Sequence, residues 1–381
     1  MDGELNLPQD KYSHGLRLRV AEEVAGHSFN EAVFDIAKYT GGKVPKRQTE
    51  ELVVRVARDF DAFYSERKAE EVEPTSDLLV MSVDQKGIVM RKDDLKEATR
   101  KAAEKTERNS GARISLGEKP NRKRMATVAA VYSLKAEKRT PEMIMGQCES
   151  ENRPPRPRCE NKRVWASVEH EPEEVIGAMF EEAERRDPEN KRTWVGLLDG
   201  GEKQLNIVLS LILSLYPAVT LVLDFIHVLE YVWKAAYSFR AVSSKEVQAW
   251  VAEQALKILR GEALEVVTKL RKDIELHKLS STKREAVEKC ANYLEKYVAL
   301  LDYPSFLQQG FPIVTGVIEG ACRHLIKDRM DLTGACWRLK RAEGVLRIRS
   351  LRSSGDLDAY WAFHKERELK RNHGQTIALA A

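Results

Sequence analysis

Cysteine is scarce in this chain: Cys148, Cys159, Cys290, Cys322 and Cys336 are the only five among 381 residues. The number is odd and no C-x-x-C occurs. A disulfide framework or a zinc ribbon is therefore excluded, and a reducing cytosol fits. Uninterrupted apolar runs are missing too. The longest apolar stretch, residues 205–223, is broken by Asn206, Ser210, Ser214 and Pro217. It reads as a buried helix followed by a buried strand, not as a membrane span. The N-terminus is acidic and polar and lacks the apolar core of a signal peptide. Net charge is also small, only +4. The expectation is a cytoplasmic protein with no membrane partner.

What the chain does have is length enough for two or three domains and a heavily charged surface, with 32% charged against 43% apolar residues. The charge is uneven. Residues 91–124 carry twelve Lys/Arg against six Asp/Glu, and residues 323–371 carry thirteen against seven. Such patches matter more for binding a polyanion than the net value does, because phosphate contacts are made patch by patch.

Residues 1–12 read as loose, and residues 14–67 repeat a helical pattern three times. Leu16, Val20 and Val24 share one face; Phe29, Val33, Ile36 and Ala37 share the next, with Ser28 as its N-cap. Gly41-Gly42 breaks the chain before a third helix over residues 45–64 that opens with Lys46, Arg47 and Gln48. Two helices around a Gly turn make residues 1–68 a helix-turn-helix-like segment, with residue types that reach phosphates and base edges. A small bundle with a solvated basic end has the same pattern. A charged, Pro-containing linker follows over residues 70–76.

Strands and helices then alternate across residues 69–224. Residues 78–84 and 87–90 read as strand, turn and strand start; 91–124 as part helix, part loop; 125–134 as a strand rich in β-formers; 154–158 as a Pro-rich loop. A strand at 164–168, a helix at 172–186, a strand at 194–198, a helix at 203–215 and a strand at 219–223 complete an α/β sandwich. Residues 225–310 read as a helical insertion, with capping boxes at Ser243/Glu246 and Thr282/Glu285. Residues 311–381 are helical and basic.

Within this frame Asp84 and Asp199 each close an apolar run, and Glu319 opens a basic helical stretch. Singly, such acids are ordinary turn or helix-start residues. Together, carboxylates from two strand ends and a helix, set among basic residues, are the donor set for hard cations and two-metal phosphoryl transfer. Asp224 also ends a strand and competes for the middle place.

The order strand–strand–strand–helix–strand–helix–strand–helix, with acids on the first and fourth strands and the last helix, is that of a ribonuclease-H-like fold. The strings Val83-Asp84-Gln85-Lys86-Gly87, Leu198-Asp199-Gly200-Gly201, Leu223-Asp224-Phe225-Ile226-His227 and Ile318-Glu319-Gly320-Ala321-Cys322-Arg323-His324 go further. They resemble bacterial DDE insertion-sequence transposases of the ISKra type, over about residues 10–373. The resemblance implies an α/β ribonuclease-H-like catalytic domain with a large all-helical insertion. It implies Asp84, Asp199 and Glu319 as the triad that holds two Mg²⁺ ions, with Mn²⁺ as a substitute, and Asp224/His227 as an auxiliary or alternative pair. It implies double-stranded DNA, both element ends and target, as partner, a homo-oligomer on that DNA, and association with the nucleoid. Lys46, Arg47, Arg122, Lys123, Arg124, Arg323, His324, Lys327 and Arg329 are the expected DNA contacts. Two departures stand out. Such transposases have more chain before the first helices, and Gln85 stands where many have Gly, on a side chain expected to face a sheet edge. The rivals are a nuclease of the same fold that only hydrolyses, and a transposase-derived DNA-binding protein with a dead site.

Overall fold

A computed structural model describes residues 4–67, 77–105, 121–146, 158–216, 218–239, 244–332 and 334–378. The linker at 70–76, most of the loop at 154–158, Ser243 and the middle of the charged 91–124 stretch lie outside them. The chain is α/β. Helices α1 (His14–Gly26), α2 (Phe29–Thr40), α3 (Lys46–Val56) and α4 (Phe60–Glu66) precede strand β1 (Leu78–Val89). Then come α5 (Glu97–Lys105), β2 (Lys123–Leu134), α6 (Pro141–Ile144), β3 (Glu160–Ser167), α7 (Pro172–Arg186), β4 (Thr193–Leu198), α8 (Glu202–Ser214) and β5 (Thr220–Leu223). Five helices follow: α9 (Phe225–Phe239), α10 (Lys245–Leu259), α11 (Ala263–Leu276), α12 (Ser281–Lys296) and α13 (Tyr303–Gln308). The chain closes with α14 (Gly316–Ala321), a turn of π-helix (Cys322–Lys327), α15 (Asp328–Met330), α16 (Leu339–Ser354) and α17 (Leu357–Ala378). Among the described residues no helix is long and apolar enough to cross a membrane.

The five strands form one mixed sheet in the order β3-β2-β1-β4-β5. β2 is antiparallel to β1 and β3, whereas β1, β4 and β5 are parallel. Parallel neighbours need a crossover, and α8 supplies it between β4 and β5. The β3 edge is covered by α16. Ser350 and Ser354 hydroxyls accept the Ala166 and Val164 N–H groups, at 3.3 and 3.0 Å. Glu343 accepts Val168 N–H at 2.9 Å and Ser167 Oγ at 3.0 Å. A strand edge that would otherwise pair with another chain is thereby satisfied from one helix.

The N-terminal helices rest on this same end of the molecule. Ser28 and Glu31 make the full capping box that starts α2. α3 lies so close to α16 that a Cβ on Gly344 would sit 3.3 Å from the Val54 Cα. The single helix expected over 45–64 is broken at Ala57–Asp59. There the Tyr360 hydroxyl of α17 takes the Val56 carbonyl, and Asp59 turns away to bond His364 Nδ1 at 2.7 Å and Arg371 at 2.7 Å. Residues 4–12 are not loose. Asp10 pairs with Arg17 and Arg55 at 2.9 and 2.7 Å, and His373 meets the Leu7 carbonyl at 2.8 Å. The starts expected for α10 and α12 shift and are not capping boxes: Ser244 caps α10 through Val247 N–H alone, and Ser280 precedes α12 without a side-chain cap bond.

One buried charge cluster pins α7 to β3. Glu182, 3% exposed, bonds Arg163 at 2.6 Å, Arg185 at 2.7 Å and Arg186 at 2.6 Å. Burial alone would raise its carboxyl, but the Arg163, Arg186 and Arg185 guanidiniums outweigh it and hold it at about 2. A carboxyl depressed in the folded state stabilises above its unfolded pKa and loses that contribution as pH falls through the folded value. Glu182→Gln is therefore expected to cost about 3 kcal/mol at pH 7. The difference between the two proteins should vanish between about pH 4.5 and pH 2. Urea unfolding across that range measures it, and a constant difference would refute the assignment.

Candidate active site

The register of the parallel strands builds the site. Val83 pairs with Leu198, and Leu198 pairs with Leu223. The next residue on each strand is an acid: Asp84, Asp199, Asp224. Neighbouring strands stand about 4.8 Å apart, so the three acids begin as a row. Asp84 does not close its strand, as the sequence implied. β1 runs on to Val89 against β2, with Gly87 paired to Met125, and Asp84 stands where β1 parts from β4. Gln85 does not face an edge either; β1 is central, and its side chain bonds Thr127 Oγ1 across the strands at 3.2 Å.

The fourth acid arrives from across the fold. Phe225 N–H bonds the Ile313 carbonyl at 2.8 Å, and Thr315 N–H bonds Asp224 Oδ1 at 3.1 Å. This stitches residues 313–315 to the β5–α9 corner and starts α14 there. Glu319, exposed on α14, lies 3.5 Å from the Thr315 hydroxyl. One turn on, the buried Cys322 thiol donates to Asp84 Oδ2 at 3.1 Å. α14 and the π-turn thus lie against β1 beside the row of acids.

The carboxylates feel one another. Burial raises the Asp84 carboxyl above its ordinary range, and Asp199 adds to this. Burial, then Asp224, then Asp84 raise Glu319. Crowded acids of this kind fit a cation, and an all-oxygen donor set fits Mg²⁺ or Mn²⁺. The carboxylates of Asp84, Asp199 and Glu319 do not all lie within 4.8 Å of one another. Among the described residues only Glu23, His27 and Asp35, at the α1–α2 turn, meet that limit.

Asp224 has a different environment from the other two row members. It is 2% exposed and caps α9, accepting Ile226 N–H at 3.3 Å and His227 N–H at 3.2 Å besides Thr315. Its oxygens serve the corner. His227 stands edge-on to Tyr231 and Tyr293. The Asp199 carboxylate accepts the Gly201 N–H, at 2.9 Å, in a tight turn. Gly200 in that turn has φ +82°, and a Cβ there would meet Tyr293 Oη at 2.8 Å.

The expected cations divide. Arg122 and Lys123 are exposed where β2 begins, and Lys123 pairs with Val89, so they lie at the sheet end toward which β1 runs. Arg323, His324 and Lys327 are exposed on the π-turn beside Cys322; His324 lies 3.2 Å from Asp328. Lys46 and Arg47 are exposed at the start of α3, with Arg47 paired to Glu51 at 3.1 Å. Two are engaged within the fold. Arg329 is 3% exposed, stacked on Trp337 and Phe29, and donates to the Val24 carbonyl at 3.0 Å. Arg124 donates to the Val168 carbonyl at 2.8 Å and ties β2 to the loop before α7. Both guanidiniums serve the fold.

Sequence reasoning missed Cys322, Thr315, Tyr293 and Tyr297 as parts of the site. Cys322, three residues after Glu319 on one helix face, was the one with a visible signal. No protein-family model matches the chain, and no curated protein matches it.

Gly200→Ala is expected to lower stability by about 1–3 kcal/mol, since it combines a left-handed backbone with a clash on Tyr293. Gly177→Ala, on α7 with open space around its Cα, should cost nothing of that size. Thermal unfolding of both variants checks this; equal midpoints would refute it.

Proposed function

We propose that this chain is a DDE-type DNA transposase with a ribonuclease-H-like catalytic core, in which Asp84, Asp199 and Glu319 hold the catalytic metal ions. The observation that carries the reading is the parallel register that sets Asp84 beside Asp199, with the Cys322–Asp84 contact bringing the helix of Glu319 against them. The element order, three antiparallel strands and then two parallel ones joined through helices, supports the core assignment. When bound, Mg²⁺ ions supply Lewis-acid activation of the attacking oxygen and charge neutralisation at the leaving oxygen. The residues of the chain supply the rest. Asp84, Asp199 and Glu319 present the carboxylate oxygens. Asp224 keeps the β5–α9 corner and α14 together. Arg122, Lys123, Arg323, His324 and Lys327 hold the phosphate backbone of double-stranded DNA, and Lys46 and Arg47 engage it from the N-terminal helices. Cleavage at an element end leaves a 3′-hydroxyl, which the same site directs at a target phosphate. Both are in-line displacements, so one set of carboxylates serves both. Action on two ends calls for an oligomer on DNA.

The test is Mg²⁺-dependent cleavage of DNA carrying the terminal repeats that flank the gene. Asp199→Asn is expected to lower the rate about a thousand-fold, the equivalent of about 4 kcal/mol. Asp224→Asn, which keeps an acceptor at the helix cap, should leave measurable cutting. Loss confined to Asp224→Asn would move the middle acid there. Cutting without joining would favour a nuclease. Binding that survives chelation without any cutting would favour a DNA-binding protein.

DNA binding should also weaken with salt. Lys123→Ala or Lys327→Ala should each lower the slope of log K against log salt by about one. Arg329→Lys should leave the slope unchanged. A slope altered by Arg329→Lys but not by the other two would overturn the division of cations.

A further inference from the structure

The reading above leaves the helical insertion, α9 to α13, without a part in the chemistry. Three of its tyrosines nevertheless end on the strand tips that carry the acids. Tyr293 Oη donates to the Asp199 carbonyl at 3.2 Å, and Tyr297 Oη to the Gly200 carbonyl at 3.3 Å. Tyr303 Oη donates to the Leu223 carbonyl at 2.9 Å. Tyr293 and Tyr297 are one turn apart at the end of α12, so a single helix end takes two consecutive carbonyls. Lys296, between them, pairs with Glu202 in the first turn of α8.

Both rings are nearly buried, at 8% and 7% exposure. Tyr231 of α9 stacks on Tyr293 with centroids 4.0 Å apart and planes 10° from parallel, and Tyr297 meets it edge-on. The ring of Tyr293 is therefore fixed from two sides. Burial keeps its phenol protonated, so it remains a donor. The Asp199 side chain is held by the Gly201 N–H, inside the turn whose two carbonyls the tyrosines take. Gly200 is the residue that leaves room for this: any Cβ would enter the Tyr293 hydroxyl.

We propose that Tyr293 and Tyr297 are positioning residues through which the helical insertion sets the place of the Asp199 carboxylate and so the metal affinity of the site. The proposal rests on the two-metal reading above. Tyr303 supplies the control. It makes the same kind of bond, but to the strand that carries the capping Asp224, and it is fully buried.

The experiment compares the wild type, the double variant Tyr293→Phe/Tyr297→Phe and Tyr303→Phe in the full chain. It measures Mn²⁺ binding by titration, thermal midpoint, and amide exchange of peptides containing Gly201. The double variant is expected to bind Mn²⁺ about ten-fold more weakly, as loss of a supporting hydrogen bond behind a ligand does. Exchange at Gly201 should speed up while the midpoint moves little. Tyr303→Phe should lower the midpoint and leave Mn²⁺ affinity unchanged. Unchanged Mn²⁺ affinity and exchange in the double variant would overturn the proposal. So would a loss of affinity that tracks the midpoint across both variants, because that is a structural role only. A wild type that takes up no Mn²⁺ would sink the two-metal reading instead. Gly201 exchange would then decide alone: faster in the double variant, the tyrosines hold Asp199; unchanged, they do not.

Discussion

The constraint on which the rest depends is like charge brought into register. Two parallel pairings, β1 with β4 and β4 with β5, set three acids abreast, each one residue past the last parallel pair. Strand spacing leaves no freedom to separate them. Each must be hydrogen-bonded, turned outward or met by a cation, since a buried charge without compensation costs far more than folding leaves to spend. The three acids take different exits. Asp224 is consumed by three backbone N–H groups and becomes a corner post. Asp199 sits in a glycine turn under the tyrosines of the insertion. Asp84 accepts both the Cys322 thiol and the Gln85 N–H, and its carboxyl is still raised by burial.

The π-turn at Cys322–Lys327 shapes what stands around them. A π-helical turn takes in more residues per turn than an α-helix and is frequent at functional sites. Here it follows α14, the helix that carries Glu319. Cys322, Leu325, Ile326 and Arg329 are buried, whereas Arg323, His324 and Lys327 are exposed. Arg349 of α16 takes the His324 and Leu325 carbonyls, which an α-helical ladder would have used differently. The helix that brings the last acid is therefore held from behind by the same α16 that covers the β3 edge. This couples the two halves of the chain: the N-terminal helices rest on α16, α16 rests on β3, and the π-turn rests on α16 and β1.

Much of this was legible in the sequence, and the reasons for the rest are physical. The β-formers and apolar runs located all five strands, and Pro172 and Ser28 marked helix starts that the structure keeps. The acids stood out because a carboxylate after an apolar run is costly to bury. What could not be read were effects of partners distant in sequence. Gly87 looks like a turn residue, yet β2 pairs straight through it. The break after Val56 needs Tyr360 and His364, some three hundred residues on. Tyr293 and Tyr297 follow the spacing of an ordinary helix face, and only the fold reveals that their hydroxyls end on Asp199 and Gly200.

Charge counting went furthest astray, for an instructive reason. An arginine-rich segment looks like a DNA surface whether its guanidiniums face water or carbonyls. In this chain many face inward. Arg329 and Arg349 take main-chain carbonyls, Arg163 stacks between Tyr64 and Trp165 while pairing with Glu182, and Arg347 lies between Glu343 and Asp61. A planar guanidinium suits this use, since it bonds in its plane and stacks on its faces. A lysine cannot do both, and Lys123 and Lys327 are exposed. The exposed cationic surface is consequently smaller than the segmental excess implies. What is exposed includes Arg122 and Lys123 at the start of β2 and Arg323 and Lys327 on the π-turn.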